Sequence, residues 1–124
     1  MNPQYKDAKY VYLFNIDGQP VPKGRPRFGK GRTYTPAKTL AAEILVAWEV
    51  KQVFDKPLEG DIKMDITFRV KGKRRGDIDN LQKLILDGCN KIAFLDDKQV
   101  VHLTSRIIQS DDPETIFSIE RFNN

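Results

Sequence analysis

The sequence holds one cysteine, Cys89, and one histidine, His102, among its 124 residues. A lone cysteine excludes an internal disulfide and a cysteine-rich zinc site. Its LDGCNKI setting reads as helix, so a packing role fits a thiol that behaves as a small hydrophobe. A lone histidine excludes a paired-imidazole metal centre and leaves a histidine-based nuclease motif without support. In the alternating stretch QVVHLTSRII it shares a face with Val100, Thr104 and Arg106 and reads as an ordinary sheet-face residue. Apolar runs such as Ile44 to Ala47 and Ile92 to Leu95 fall far short of a bilayer span, so no membrane segment is expected. The N-terminal MNPQYKDAKYVYLF lacks the basic start and apolar stretch of a secretory signal, which predicts a cytoplasmic location. Internal repeats and low-complexity segments are absent as well.

What is present fits one domain spanning 1–124, since 40% hydrophobic residues can build a core but the chain is too short for two. Charge is unevenly spread behind a net of +4. Residues 1–76 carry 16 Lys and Arg against 8 Asp and Glu, whereas residues 77–124 carry 5 against 9. Such polarity suits a protein that grips a polyanion with one surface and gathers carboxylates, with a metal among them, at another.

Residues 10–16, YVYLFNI, are aromatic and β-branched and run into the turn signal Asp17-Gly18-Gln19-Pro20, predicting strand then turn. Residues 22–34, PKGRPRFGKGRTY, combine proline, glycine and five cations with no acid, predicting an exposed, mobile loop. Thr35-Pro36 supplies a cap and a first-turn proline for a helix bearing Leu40, Ile44, Val46, Ala47 and Val50, running to about Phe54. Pro57-Leu58-Glu59-Gly60 interrupts the chain, and Ile62, Met64, Ile66 and Phe68 then alternate as a half-buried strand. After a second basic loop, Lys71 to Gly76, a helix starts near Asp77. Its apolar stripe is Ile78, Leu81, Leu84, Ile85, Gly88 and Ile92, while Asp79, Lys83 and Asp87 mark another face. An acidic turn at Leu95 to Lys98 precedes two strands, about 99–109 and 115–122. The order β-α-β-α-β-β implies an α+β fold, a mixed sheet covered by two helices.

Chemistry concentrates in GDIDNLQK, residues 76–83, which sets Asp77 and Asp79 at a helix start just after a basic loop. Helix capping explains such acids without any catalysis. A second pair, Asp96-Asp97, shifts the balance, because carboxylates brought together repel unless a cation neutralises them, and hard oxygen ligands suit Mg²⁺. Alone, that pair reads as a solvated turn. Metal-assisted phosphodiester hydrolysis would use Asp77, Asp79, Asp97 and Asp96 as ligands. Lys83 would then neutralise the transition state; its bland alternative is an i,i+4 ion pair with Asp79. Asn80 holds a carboxylate or phosphate, or is an ordinary first-turn amide. Lys23, Arg25, Arg27, Lys30 and Arg32 would contact backbone phosphates, with Arg74 and Arg75 drawing the scissile phosphate in; a solvated loop or targeting-type basic patch is the plainer reading of the first group. Phe28 and Tyr34 stack on opened bases or pack against the helix.

These residues resemble the RusA family of Holliday junction resolvases of bacteria, phages and prophages. The resemblance rests on GQPVPKGRPRF, the Tyr34-Thr35-Pro36 helix start, RRGDIDNLQKLILDG and FLDDKQV, in the family's order and approximate spacing. It implies a homodimeric, Mg²⁺-dependent endonuclease, with Mn²⁺ able to substitute and no organic cofactor, acting on four-way junction DNA in recombination and repair. By motif, Asp77 and Asp79 match the catalytic acids, Lys83 the catalytic lysine, and Asp97, in preference to Asp96, the third acid. Two alternatives stay open: a non-catalytic DNA- or RNA-binding module, and a related nuclease acting on flaps or forks.

Overall fold

A computed structural model describes residues 10–24, 27–29, 31–34, 36–73 and 76–122, with the backbone alone at 27, 28, 32 and 34. Its centre is β4 (Ile62–Val70), whose alternation is complete. Ile62, Met64, Ile66, Phe68 and Val70 are buried, while Lys63, Asp65, Thr67 and Arg69 turn to the opposite face. Two-residue periodicity of this kind creates one apolar and one polar surface on a strand. Around it stand β1 (Val11–Asp17), β5 (Val100–Gln109) and β6 (Glu114–Arg121) in the order β1-β6-β4-β5. β6 is antiparallel to both β1 and β4, whereas β5 is parallel to β4. The sheet is therefore mixed, and with its two helices the fold is α+β, in the order expected.

Helices α1 (Ala37–Lys51) and α2 (Ile78–Cys89) cover the apolar face. The apolar stripe of α2 buries Leu81, Leu84, Ile85, Gly88 and Cys89. A Cβ built at Gly88 would stand 2.6 Å from the Cβ of Val46, so glycine is what lets α2 approach α1. Cys89 is fully buried and its thiol pKa is pushed up by burial, as a packing residue requires. Phe14 stacks on Phe117 at 5.0 Å between ring centroids and continues the core toward β1.

Three local features depart from expectation. Within 22–34 the backbone forms a hairpin, β2 (Arg27–Gly29) with β3 (Arg32–Tyr34), rather than an irregular loop. A two-residue connection suffices because Gly31 takes φ +77°, a conformation costly for other residues. Helix α1 stops at Lys51, yet Phe54 stays buried because its N–H still reaches the Val50 carbonyl in a closing turn. The expected cap Thr35 lies outside the described residues, and Pro36 occupies the N-cap without a side-chain bond. Lastly, the β4–β5 register shifts between Ile62 and Lys63, so Val100 packs toward the core while His102, Thr104 and Arg106 share the open face.

Parallel strands demand a crossover, and α2 supplies the one from β4 to β5. Asp77 accordingly sits at the exit of β4, and Asp97 at the entry to β5. No helix among the described residues is long and apolar enough to cross a membrane.

Candidate active site

Asp77 is the N-cap residue of α2, with φ −66° and ψ 149°, but its side chain makes no capping hydrogen bond. Capping, the plain explanation for an aspartate there, is therefore not its use. Asp79 lies in the first turn, where the helix dipole favours an anion. Lys83 follows one turn later, and all three side chains are exposed. Among the described residues no ion pair joins Lys83 to Asp79, so the plain alternative for Lys83 is not realised either.

Asp96 and Asp97 divide their labour. Asp96 caps the short 3-10 turn Asp97–Gln99: its Oδ1 accepts from the Lys98 N–H at 2.9 Å, and Gln99 Oε1 accepts from the Asp96 N–H at 3.2 Å. Gln99 Nε2 in turn donates to the carbonyls of Leu58 and Gly60, both at 2.9 Å, fixing the turn to the chain ahead of β4. The Lys98 amide holds the Asp96 carboxyl below its ordinary range. Asp97 is shifted the other way, by partial desolvation first, then by its hydrogen bond to Asp96 and the charges of Asp96 and Asp87. Of the pair, Asp97 is the carboxylate not committed to the turn.

Within one chain the two acidic pairs do not meet. They flank the 12-residue helix α2, whose length at about 1.5 Å per residue is roughly 18 Å. Among the described residues, no three His, Cys, Asp or Glu side chains are grouped to hold a metal. Asp77 and Asp79 share the start of α2, while Asp97 is hydrogen-bonded to Asp96 and feels the charge of Asp87.

The stretch 19–24 runs past the start of α2 and ties it to its neighbours. The Gln19 amide exchanges two hydrogen bonds with the backbone of Lys71, at 2.9 and 3.2 Å. Pro22 lies against Gly76, where a built Cβ would be 2.7 Å from the proline Cγ and nearer still to its Cβ. Lys23 donates its N–H to the Asn80 carbonyl at 2.8 Å, and Gly24 donates to Thr39 Oγ1 at 2.9 Å. Lys23 and Gly76, each bordering a basic segment of the sequence, thus both lie at the start of α2, next to Asp77 and Asp79. Lys23 itself turns inward: its Nζ pairs with Glu43 of α1 and, at 3.0 Å, with Asp87 of α2. Asp87 was visible in sequence only as a member of the Asp79, Lys83 face, and Glu43 gave no signal, because a contact between helices has no sequence spacing. Arg25, Lys30, Arg74 and Arg75 lie outside the described residues, as do the side chains of Arg27, Arg32, Phe28 and Tyr34.

Residues 17–120 match the family model described as endodeoxyribonuclease RusA. The crossover junction endodeoxyribonuclease RusA of Escherichia coli (strain K12) is 39% identical over 93 residues, covering 73% of this chain and 78% of that protein. Its namesake from Enterobacteria phage 82 is 39% identical over 77 residues, 60% of this chain and 64% of the phage protein. That of Aquifex aeolicus (strain VF5) is 29% identical over 96 residues, 73% and 72% of the two chains. With the family match running from the end of β1 to the end of β6, this chain belongs to the RusA endodeoxyribonuclease family.

Proposed function

We propose that this protein is a structure-selective endodeoxyribonuclease that resolves four-way DNA junctions by metal-dependent phosphodiester hydrolysis, acting in the cytoplasm in recombination and repair. The observation that carries the reading is the juxtaposition at the start of α2. Two exposed carboxylates with no capping side-chain bond at Asp77, and a lysine outside any ion pair among the described residues, stand beside Lys23 and Gly76, the residues that border the two basic segments of the sequence.

Asp77 and Asp79 offer hard oxygen donors of the kind Mg²⁺ takes, with Mn²⁺ as a substitute. A divalent ion held there supplies Lewis-acid charge and an activated water. Asp97 is the third ligand, and Asp96 shapes the turn that presents it. Asp97 feels the charge of Asp87, which stands about 12 Å of helix beyond Asp79, so the ligand set is completed by a second copy, with Asp97 of the partner subunit reaching Asp77 and Asp79. A homodimer also suits a substrate with two strands to cut about a twofold axis. Lys83 stabilises the charge that builds on the phosphoryl group. Arg25, Arg27, Lys30, Arg32, Arg74 and Arg75 hold backbone phosphates of the junction arms.

The test compares cleavage of a labelled mobile four-way junction with that of matched linear duplex, in Mg²⁺ and in EDTA, for wild type and Asp79→Asn. Symmetric, Mg²⁺-dependent junction cuts are expected, falling by about a hundredfold or more in the variant while binding persists. Tight junction binding without cutting in any metal would instead make the protein a binding module, and equal cutting of flaps or forks would move its substrate.

A further inference from the structure

The sequence places Lys23 among the phosphate-gripping cations, but the fold uses it differently. Its ammonium lies between two carboxylates from different helices, with side-chain exposures of 23% for Lys23, 19% for Glu43 and 27% for Asp87. One positive and two negative charges leave the cluster net negative, so an approaching phosphate would be repelled. An ammonium has three donors and no acceptor, and here two carboxylates engage it. Burial works against the charge of Lys23, yet hydrogen bonds and charges from Glu43 and Asp87 outweigh it and hold the pKa above the ordinary lysine value.

The backbone on either side is pinned too. The Lys23 N–H meets the carbonyl of Asn80, next in sequence to Asp79, and the Gly24 N–H meets Thr39 on α1. A Cβ at Gly24 would come within 2.7 Å of Thr39 Oγ1, so the chain passes close against α1. Arg25, the first cation of the remaining basic segment, follows at once.

We infer that Lys23 is a positioning residue: through Glu43 and Asp87 it locks the root of the basic segment to α1 and α2, and so sets where bound DNA lies relative to Asp77 and Asp79. The inference rests on the resolvase reading above. Removing either carboxylate partner unbalances a partly buried charge cluster and frees that root, although no group facing the DNA has changed. Direct contact and positioning therefore predict opposite signs for one substitution. Glu43→Gln removes a negative charge, so if Lys23 gripped phosphate the variant would bind junctions more tightly and cut them at least as well. If Lys23 positions the segment, the variant cuts worse.

The experiment measures junction Kd across a salt series and single-turnover cleavage at saturating protein in Mg²⁺, for wild type, Glu43→Gln, Lys23→Met, Lys23→Arg and the Lys23→Met/Glu43→Gln double variant. Glu43→Gln and Lys23→Met should each slow cleavage of bound junction about ten- to hundredfold, the scale of small displacements at a reacting centre. The salt slope should stay unchanged, because every bound phosphate keeps its cation. The double variant should be no slower than Lys23→Met, as expected for residues in one network, and Lys23→Arg should recover part of the rate. Should Lys23→Met fail to fold, Glu43→Gln, nearly isosteric, carries the test alone. A flattening of the slope by about one with unchanged cleavage of bound junction would overturn the inference, as would wild-type cutting by Glu43→Gln. If the wild-type protein binds junctions but cuts none, the resolvase reading falls separately. Binding then decides: weaker binding by Glu43→Gln upholds anchoring of the segment, and unchanged or tighter binding refutes it.

Discussion

Replacing Gly76 by alanine changes one methyl group and no charge, yet it should impair both stability and catalysis. The added Cβ would lie 2.7 Å from Cγ of Pro22 and closer still to its Cβ. Carbon atoms settle at about 3.5 Å or more, so the two segments must separate by about 1 Å. Pro22 cannot swing aside, because its ring fixes φ, and the hydrogen bonds of Gln19 and Lys23 hold it from both sides. Overpacking of this kind costs about 1–3 kcal/mol, larger than the roughly 0.4–1 kcal/mol gained by stiffening the unfolded chain at a glycine. At roughly 4 °C per kcal/mol for a chain of this size, the midpoint of thermal unfolding should fall by several degrees. Since Asp77 is the next residue, a displacement near 1 Å also reaches the reacting centre, where it is worth about a hundredfold in rate. Thermal melts paired with single-turnover junction cleavage well below the melting point separate the two effects, and the salt dependence of binding should not move. A Gly76→Ala protein that melts and cuts like wild type would show that the packing of Pro22 on Gly76 does not position the acids.

Charge reversal at Arg25 and Arg27 should weaken junction binding and flatten its salt dependence by about one unit of log–log slope for each phosphate no longer neutralised; an unchanged slope in a salt titration removes that segment from the DNA interface. Gln99→Ala deletes the bonds to the Leu58 and Gly60 carbonyls and half of the Asp96 cap. It should cost about 1–3 kcal/mol in urea unfolding and slow cleavage by releasing Asp97, with junction affinity retained; wild-type stability and rate together would mean the turn needs no such brace.

Local sequence pattern was enough to specify the four sheet strands and both helices, and to place Asp77 and Asp79 at the start of one helix. Alternation over residues 62–70 and the stripe of α2 are short-range patterns, since strand and helix periods are set by backbone geometry, and both translate directly into a buried face. Asp77 and Asp79 were legible for the same reason: their spacing lies inside one helical turn. The hairpin at 27–34 was hidden by a composition rich in glycine and arginine, because it depends on the pairing of 27–29 with 32–34 across the turn at Gly31, which no single-residue preference reports. Which distant residues meet was settled only when the folded chain packed. Packing set the two acidic pairs at opposite ends of α2, since a parallel β4–β5 pair needs a full-length crossover between them. It also brought Lys23 to Glu43 and Asp87, because the energy of an ion pair depends on distance through space and not on separation along the chain.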